Sequence, residues 1–145
     1  MSFTDIYQIA GSAMTAQTTR LNTIASNLAN ANSGSTTEAD TYRARKPVFA
    51  TVYEQQQQSL FSQQGSFSAG ARVRVLDVVN TDGQLDKRYE PGNPIADADG
   101  YVFYPDVDVV HEMADMMSAS RSFETNVDVL SRTRSMQQGL LKLGQ

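Results

Sequence analysis

Both ends of this chain repeat their apolar residues at alternating steps of three and four, and no proline interrupts either run. Near the N-terminus the repeat passes through Phe3, Tyr7, Ala10, Met14, Gln17, Leu21, Ile24, Leu28 and Ala31. Near the C-terminus it passes through Met113, Met116, Ser120, Phe123, Val127, Leu130, Arg134, Gln137 and Leu141. A period of 3.5 residues is the seam of paired helices. The spacing therefore predicts two long helices that pair as a coiled coil. At 1.5 Å per residue they run about 43 Å and about 54 Å. Ser2 with Asp5 three residues on resembles a capping box for the first helix. Asp106 or Asp108, just after Pro105, can cap the second, and Gly144 offers a stop.

The middle has a different character. All four prolines, Pro47, Pro91, Pro94 and Pro105, lie there, as do nine of the twelve aromatic residues, between Tyr42 and Tyr104. Thr36 to Asp40 reads as a polar loop and Gln55 to Gln58 is a short glutamine tract. Ala71 to Val79 begins with strand alternation and ends in an apolar run. Asp82-Gly83 and Pro91-Gly-Asn-Pro94 mark turns, and Tyr101-Val-Phe-Tyr104 reads as a second strand. The organisation is thus three zones. Residues 1–31 and 106–145 are the helices, and residues 32–105 are loop and a small β-rich insert. The fold class is mainly α.

Composition narrows the function. The 145 residues contain no Cys, one His and no Trp. Disulfides, thiol nucleophiles and thiolate zinc sites are excluded. A net charge of −4 argues against duplex nucleic acid as the main partner. No run approaches the roughly 18 apolar residues of a spanning helix, and the first cationic residue is Arg20, so no cleavable secretory signal is visible.

The chemical motifs fail on inspection. His111-Glu-Met-Ala-Asp115 has Asp where a zincin needs its second His, so it reads as a helix start with acids favoured by the dipole. Asp97-Ala-Asp-Gly100 begins like an EF-hand loop but has Val102 at position six and Asp108 at position twelve, and reads as a turn. Met113, Met116 and Met117 at helical spacing are core before they are ligands. Arg121, Arg132 and Arg134 are solvated or paired with carboxylates. Tyr42-Arg-Ala-Arg-Lys46 is weak evidence for nucleic acid in an acidic chain. No phosphate loop or nucleophile elbow is present. The chain is not expected to be an enzyme, nor to take a cofactor or metal.

Residues 1–31 carry only two charges, Asp5 and Arg20. The off-seam positions Gln8, Ser12, Thr15, Thr18, Thr19, Thr23, Ser26 and Asn27 are polar but uncharged. That surface suits close packing against neighbouring helices, with hydroxyls and amides bonding across the contact without burying ions. An ordinary helical hairpin with a plain polar face is the alternative.

Ala25-Ser-Asn-Leu-Ala-Asn-Ala-Asn32 resembles the signature that ends the N-terminal helix of bacterial flagellar rod and hook proteins, and Thr41-Tyr-Arg-Ala-Arg-Lys-Pro-Val-Phe49 is similar to the segment that follows it there. Tyr89-Glu-Pro-Gly-Asn-Pro94, Ala96-Asp-Ala-Asp-Gly-Tyr-Val102, Tyr104 to Val110 and Glu112 to Val127 resemble the hallmark region of a rod branch of the same family. Three features depart from the pattern. The loop Ser33 to Asp40 is longer and more polar, Asp77 to Lys87 lacks an expected proline, and His111 replaces an acidic or small residue.

The resemblance implies a structural subunit of the proximal rod in the flagellar basal body. It implies export, unfolded and without a cleaved signal, by the flagellar type III apparatus. It implies terminal helices that pair into an inner tube, with the middle region outside, in a helical assembly that crosses the periplasm and transmits torque. The implied partners are the chain itself, other rod proteins and, at the base, the membrane ring and export gate, with no nucleic acid or small-molecule substrate. The subunit interface would use the seams and the motif: Phe3, Tyr7, Met14, Leu21, Ile24, Asn27, Leu28, Asn30, Asn32, Met113, Met116, Phe123, Val127, Leu130 and Leu141. Asn27, Asn30 and Asn32 would satisfy free carbonyls at the helix end or cross to a neighbour. A soluble coiled-coil adaptor or export chaperone is the competing reading. A metal-dependent enzyme using His111 with Asp97 and Asp99 is a remote third.

Overall fold

The computed structural model describes residues 3–53 and 71–143. Helix α1 (Phe3–Asn30) and helix α2 (Val109–Leu143) flank four strands, β1 (Arg45–Tyr53), β2 (Ala71–Asn80), β3 (Asp86–Tyr89) and β4 (Tyr101–Tyr104). The strands form two separate antiparallel pairs, β1 with β2 and β3 with β4. Ser2, Gly144 and the glutamine tract lie outside the described residues.

The two helices pack side by side and run in opposite directions. Arg20 on α1 meets Asp115 on α2, and seven residues later Asn27 meets Glu112. Asp108, not Asp106, caps α2. Its Oδ1 accepts hydrogen bonds from the backbone N–H groups of Val110 (2.9 Å) and His111 (3.2 Å), which satisfies two of the free donors at the helix start.

The face that α2 turns inward is rotated from the expected seam. Its least exposed stripe passes through Glu112, Met116, Ala119, Phe123, Asn126, Leu130 and Thr133. Met116, Phe123 and Leu130 are shared with the 3.5-residue repeat. The alternate positions stand one residue earlier than Met113, Ser120, Val127 and Arg134. Ala119 is fully buried and Thr133 nearly so, whereas Met113 is 54% and Val127 46% exposed. The partner explains the choice. The buried residues of α1 include Ala10, Ala16 and Thr23, so the backbones approach where small side chains face each other.

The threonine-rich face of α1 satisfies itself. Thr15, Thr18, Thr19 and Thr23 each donate a hydroxyl hydrogen to the carbonyl four residues back, and Ser12 donates to that of Ile9. These hydroxyl protons are therefore spent on their own helix, while the Ser12 oxygen also accepts from the ribbon.

β1 and β2 form a nine-pair ribbon along α1. Arg72 reaches Gln8, the Val73 N–H donates to Ser12 Oγ, and Arg45 meets Asn27 at the other end. The register slips between Val48 and Phe49, which face Asp77 and Val75, so Leu76 is the extra residue of a bulge. β1 was not anticipated, because Pro47 argues against a central strand. A two-stranded ribbon has only edges, and there a missing N–H is tolerated.

β4 is bordered on its second side by Ser35. The Ser35 N–H donates to Phe103 O and the Phe103 N–H to Ser35 O. Val102, fully buried, is the centre of this small body. Gly34 passes so near that a Cβ there would stand 2.8 Å from Val102 Cγ1. The Asp97–Gly100 segment is the expected turn. Asp97 Oδ1 accepts the Asp99 N–H, and Gly100 takes φ +80°.

Candidate assembly interface

The signature Ala25–Asn32 ends α1, and Asn27 occupies the point where four segments converge. It is 1% exposed. Its Nδ2 donates to Arg45 O (2.9 Å) and to Glu112 Oε1 (3.1 Å). Its Oδ1 accepts from the Arg45 N–H (2.9 Å) and from Tyr42 Oη (2.9 Å). A primary amide has two N–H donors and room for two acceptors, and all four are used. One side chain thus fixes α1, the loop after it, β1 and α2 to each other. Arg45 gives its backbone N–H and C=O to this amide while its guanidinium lies over the Tyr42 ring, 5.7 Å from the centroid. Ser26 Oγ lies 3.1 Å from the same Tyr42 hydroxyl.

The rest of the motif closes the helix. Asn30 Nδ2 turns back to Ser26 O, and Ser33 caps Asn30 O with both its backbone N–H and its hydroxyl. Asn32 points to solvent. The three asparagines therefore differ: Asn27 joins segments within the chain, Asn30 ends the helix, and Asn32 is exposed.

The other seam residues divide in the same way. Ile24 is buried, and Phe3, Met14, Leu21, Leu28, Met116, Phe123 and Leu130 are half-buried. Tyr7, Met113, Val127 and Leu141 are exposed, at 37%, 54%, 46% and 69%. Every described side chain from Arg134 to Lys142 is exposed. With Arg20 opposite Asp115 in an antiparallel pair, the start of α1 lies beside residues near Thr133, so the last turns of α2 project past it.

Sequence reasoning missed two members of the cluster, Tyr42 and Glu112. Glu112 read as a dipole-favoured acid at a helix start. Its burial, 8% exposed, follows from the rotated seam. Arg20 and Asp115 form a half-exposed pair at 2.9 Å, with His111 Nε2 3.9 Å from the same carboxylate. Nothing in this arrangement assembles a nucleophile and a base. What it presents is a polar clamp between helices and two apolar surfaces open to solvent, on α2 and on the ribbon.

Comparison with known proteins places the ends of the chain first. Residues 8–35 match the family described as Flagella basal body rod protein, and residues 98–143 match the family described as Flagellar basal body rod FlgEFG protein C-terminal. Over their full lengths, the chain is 46% identical to the flagellar basal-body rod protein FlgC of Escherichia coli O6:H1 and 44% identical to that of Salmonella typhimurium. It is 34% identical to FlgC of Bacillus subtilis, over 94% of this chain and 95% of the relative.

Proposed function

The chain belongs to the FlgC family of flagellar basal-body rod proteins, and from that premise we propose how its helices and its insert serve a rod. It is a structural subunit of the basal-body rod. In our reading it sits in the proximal rod, in a helical tube that spans the periplasm. The helical zones 1–31 and 106–145 pair as a coiled coil in the inner wall, and zone 32–105 lies outside. The exposed seam residues Tyr7, Met113, Val127 and Leu141 meet neighbouring subunits, while the buried ones keep the pair together. The neighbours are copies of the chain, other rod proteins and, at the base, the membrane ring and export gate. Delivery is by the flagellar type III apparatus, without cleavage. Torque passes through many parallel helix contacts. No catalytic role is assigned.

One observation carries this reading: α2 ends in turns whose apolar residues, Met136, Leu140 and Leu141, are 60%, 53% and 69% exposed, and every described side chain from Arg134 to Lys142 is exposed with them. Such a patch marks an interaction site. Leu140→Asp with Leu141→Asp tests it. The expected result is a folded, exported protein that is missing from purified basal bodies, in non-motile cells. Normal incorporation and motility would remove these turns from the interface.

A further inference from the structure

We propose that the outer face of the β1–β2 ribbon docks on the start of α2 of a second copy of this chain, a contact that rests on the assembly reading above and gives it a specific partner surface. Three observations converge on it.

The first is exposure. The ribbon leaves Val48, Val52, Leu76 and Val79 at 40%, 44%, 62% and 42% exposed. Helix α1 packs along the ribbon, so these side chains are what it leaves uncovered. The second is an unpartnered stripe elsewhere on the molecule. Val110, Met113 and Met117, at helical spacing on the first turns of α2, are 77%, 54% and 61% exposed. Among the described residues neither patch covers the other.

The third is charge. From Tyr42 to Asn80 the chain has five Lys and Arg residues, Arg43, Arg45, Lys46, Arg72 and Arg74, against the two acids Glu54 and Asp77. From Glu90 to Ser120 it has seven acids, Glu90, Asp97, Asp99, Asp106, Asp108, Glu112 and Asp115, and no Lys or Arg. Glu112 is buried against Asn27, Asp115 pairs with Arg20 and Arg43 with Glu38, so the charge each surface presents is set by the groups left over. Lys46 and Arg74 are exposed and pair with no carboxylate among the described residues, and the exposed Asp99 and Asp106 meet no cation there. Complementary potentials fix register and partner choice. Two different patches that fit each other make a head-to-tail contact, which propagates as a ring or a helix and does not stop at a dimer.

The chain has no Cys, so introduced thiols report unambiguously. The experiment uses the full-length chain in flagellated cells, with Val48→Cys on one copy and Val110→Cys on another, co-expressed, and oxidation of isolated basal bodies. The expected product is a disulfide-linked dimer of the two variants. Lys46→Glu with Arg74→Glu should reduce its yield about tenfold or more, because like charges then face each other. Adding Asp99→Lys with Asp106→Lys should restore it. Absence of the crosslink in basal bodies that contain both variants would overturn the contact and leave the rod assignment standing. A crosslink from Val48→Cys to another rod protein would overturn the choice of a second copy. Absence of the chain from basal bodies would instead refute the assembly reading itself.

Discussion

At the scale of single residues, the chain relies on polar side chains where a larger domain would use bulk. Among the described residues, the large fully buried side chains are Val102 and Asn27. Removing the Asn27 amide orphans the Arg45 N–H and C=O and one oxygen of Glu112. The Glu112 oxygen is buried and the two Arg45 groups are part-buried; an orphaned group costs about 1–3 kcal/mol when buried and less when water reaches it. Asn27→Ala should therefore lower the unfolding free energy by about 3 kcal/mol, read as a fall in the urea midpoint. Asn27→Asp keeps both acceptors, loses both donors, and sets a carboxylate against Glu112. The introduced carboxyl would hold its proton more tightly folded than unfolded. Its damage should be largest at neutral pH and shrink as pH falls through the carboxylate range. A midpoint that does not move with pH would contradict this. Tyr104 gives a natural counterpart. Burial, then its hydrogen bond to Glu90 Oε2 (3.1 Å), then that carboxylate's charge, push its pKa above the usual 10.0, with Arg88 opposing. A raised folded pKa makes this contribution complete below the unfolded value and lost as pH rises through the folded one. Ultraviolet titration, compared with that of a Tyr104→Phe variant, should show this hydroxyl ionising late, and Glu90→Gln should lower its midpoint.

At the scale of elements, periodicity revealed more about which helices exist than about how they face. Two long helices, the strands at Ala71–Asn80 and Tyr101–Tyr104, and the turns at Pro91–Pro94 and Asp97–Gly100 were all legible, because each rests on local pattern or backbone chemistry. The inward face of α2 was not. Stripes through Ser120 and Val127 or through Ala119 and Asn126 lie only one residue, about 100° of helix, apart, and only the small residues of the partner decide between them. β1 was hidden for a similar reason: Pro47 reads as a strand breaker until the ribbon is seen to have no interior strand. The site was legible as a motif but not as a geometry, since Asn27 gains its role from Tyr42, Arg45 and Glu112, which lie 15, 18 and 85 residues away in sequence. The rotated seam makes its own prediction. Phe123→Ala, on the shared inward stripe, should cost about 1–3 kcal/mol, whereas Val127→Ala, on the outward one, should stay within about 0.5 kcal/mol. Thermal unfolding of the two variants compares them directly, and the reverse order would restore the stripe through Met113, Ser120 and Val127 as the packed face.

At the scale of the whole molecule, burial is scarce and unevenly placed. Among the described residues, the buried apolar ones are mostly alanines, Ala10, Ala16, Ala31, Ala44 and Ala119, joined by Ile24 and Val102. Alanine burial contributes little per residue, since the effect scales with apolar area. Helix α2 shows the gradient along its own length. Near Glu112 it is clamped by Asn27 and Arg20, while from Arg134 onward every described side chain is exposed. A helix end without tertiary packing is stable only by its own propensity, which is marginal over so few turns, so it opens locally far below the global unfolding free energy. Limited trypsin digestion of the free chain should therefore cut after Arg132, Arg134 and Lys142 well before Arg20, which is engaged with Asp115. Circular dichroism should show the matching partial loss of helix on mild heating, before the main transition. In basal bodies the same C-terminal sites should resist the protease if neighbours cover them. Equal cleavage in the free and assembled protein would mean that this end stays bare, and the order of cuts, read by mass spectrometry, separates that outcome from simple global unfolding, in which Arg20 would be cut together with the rest.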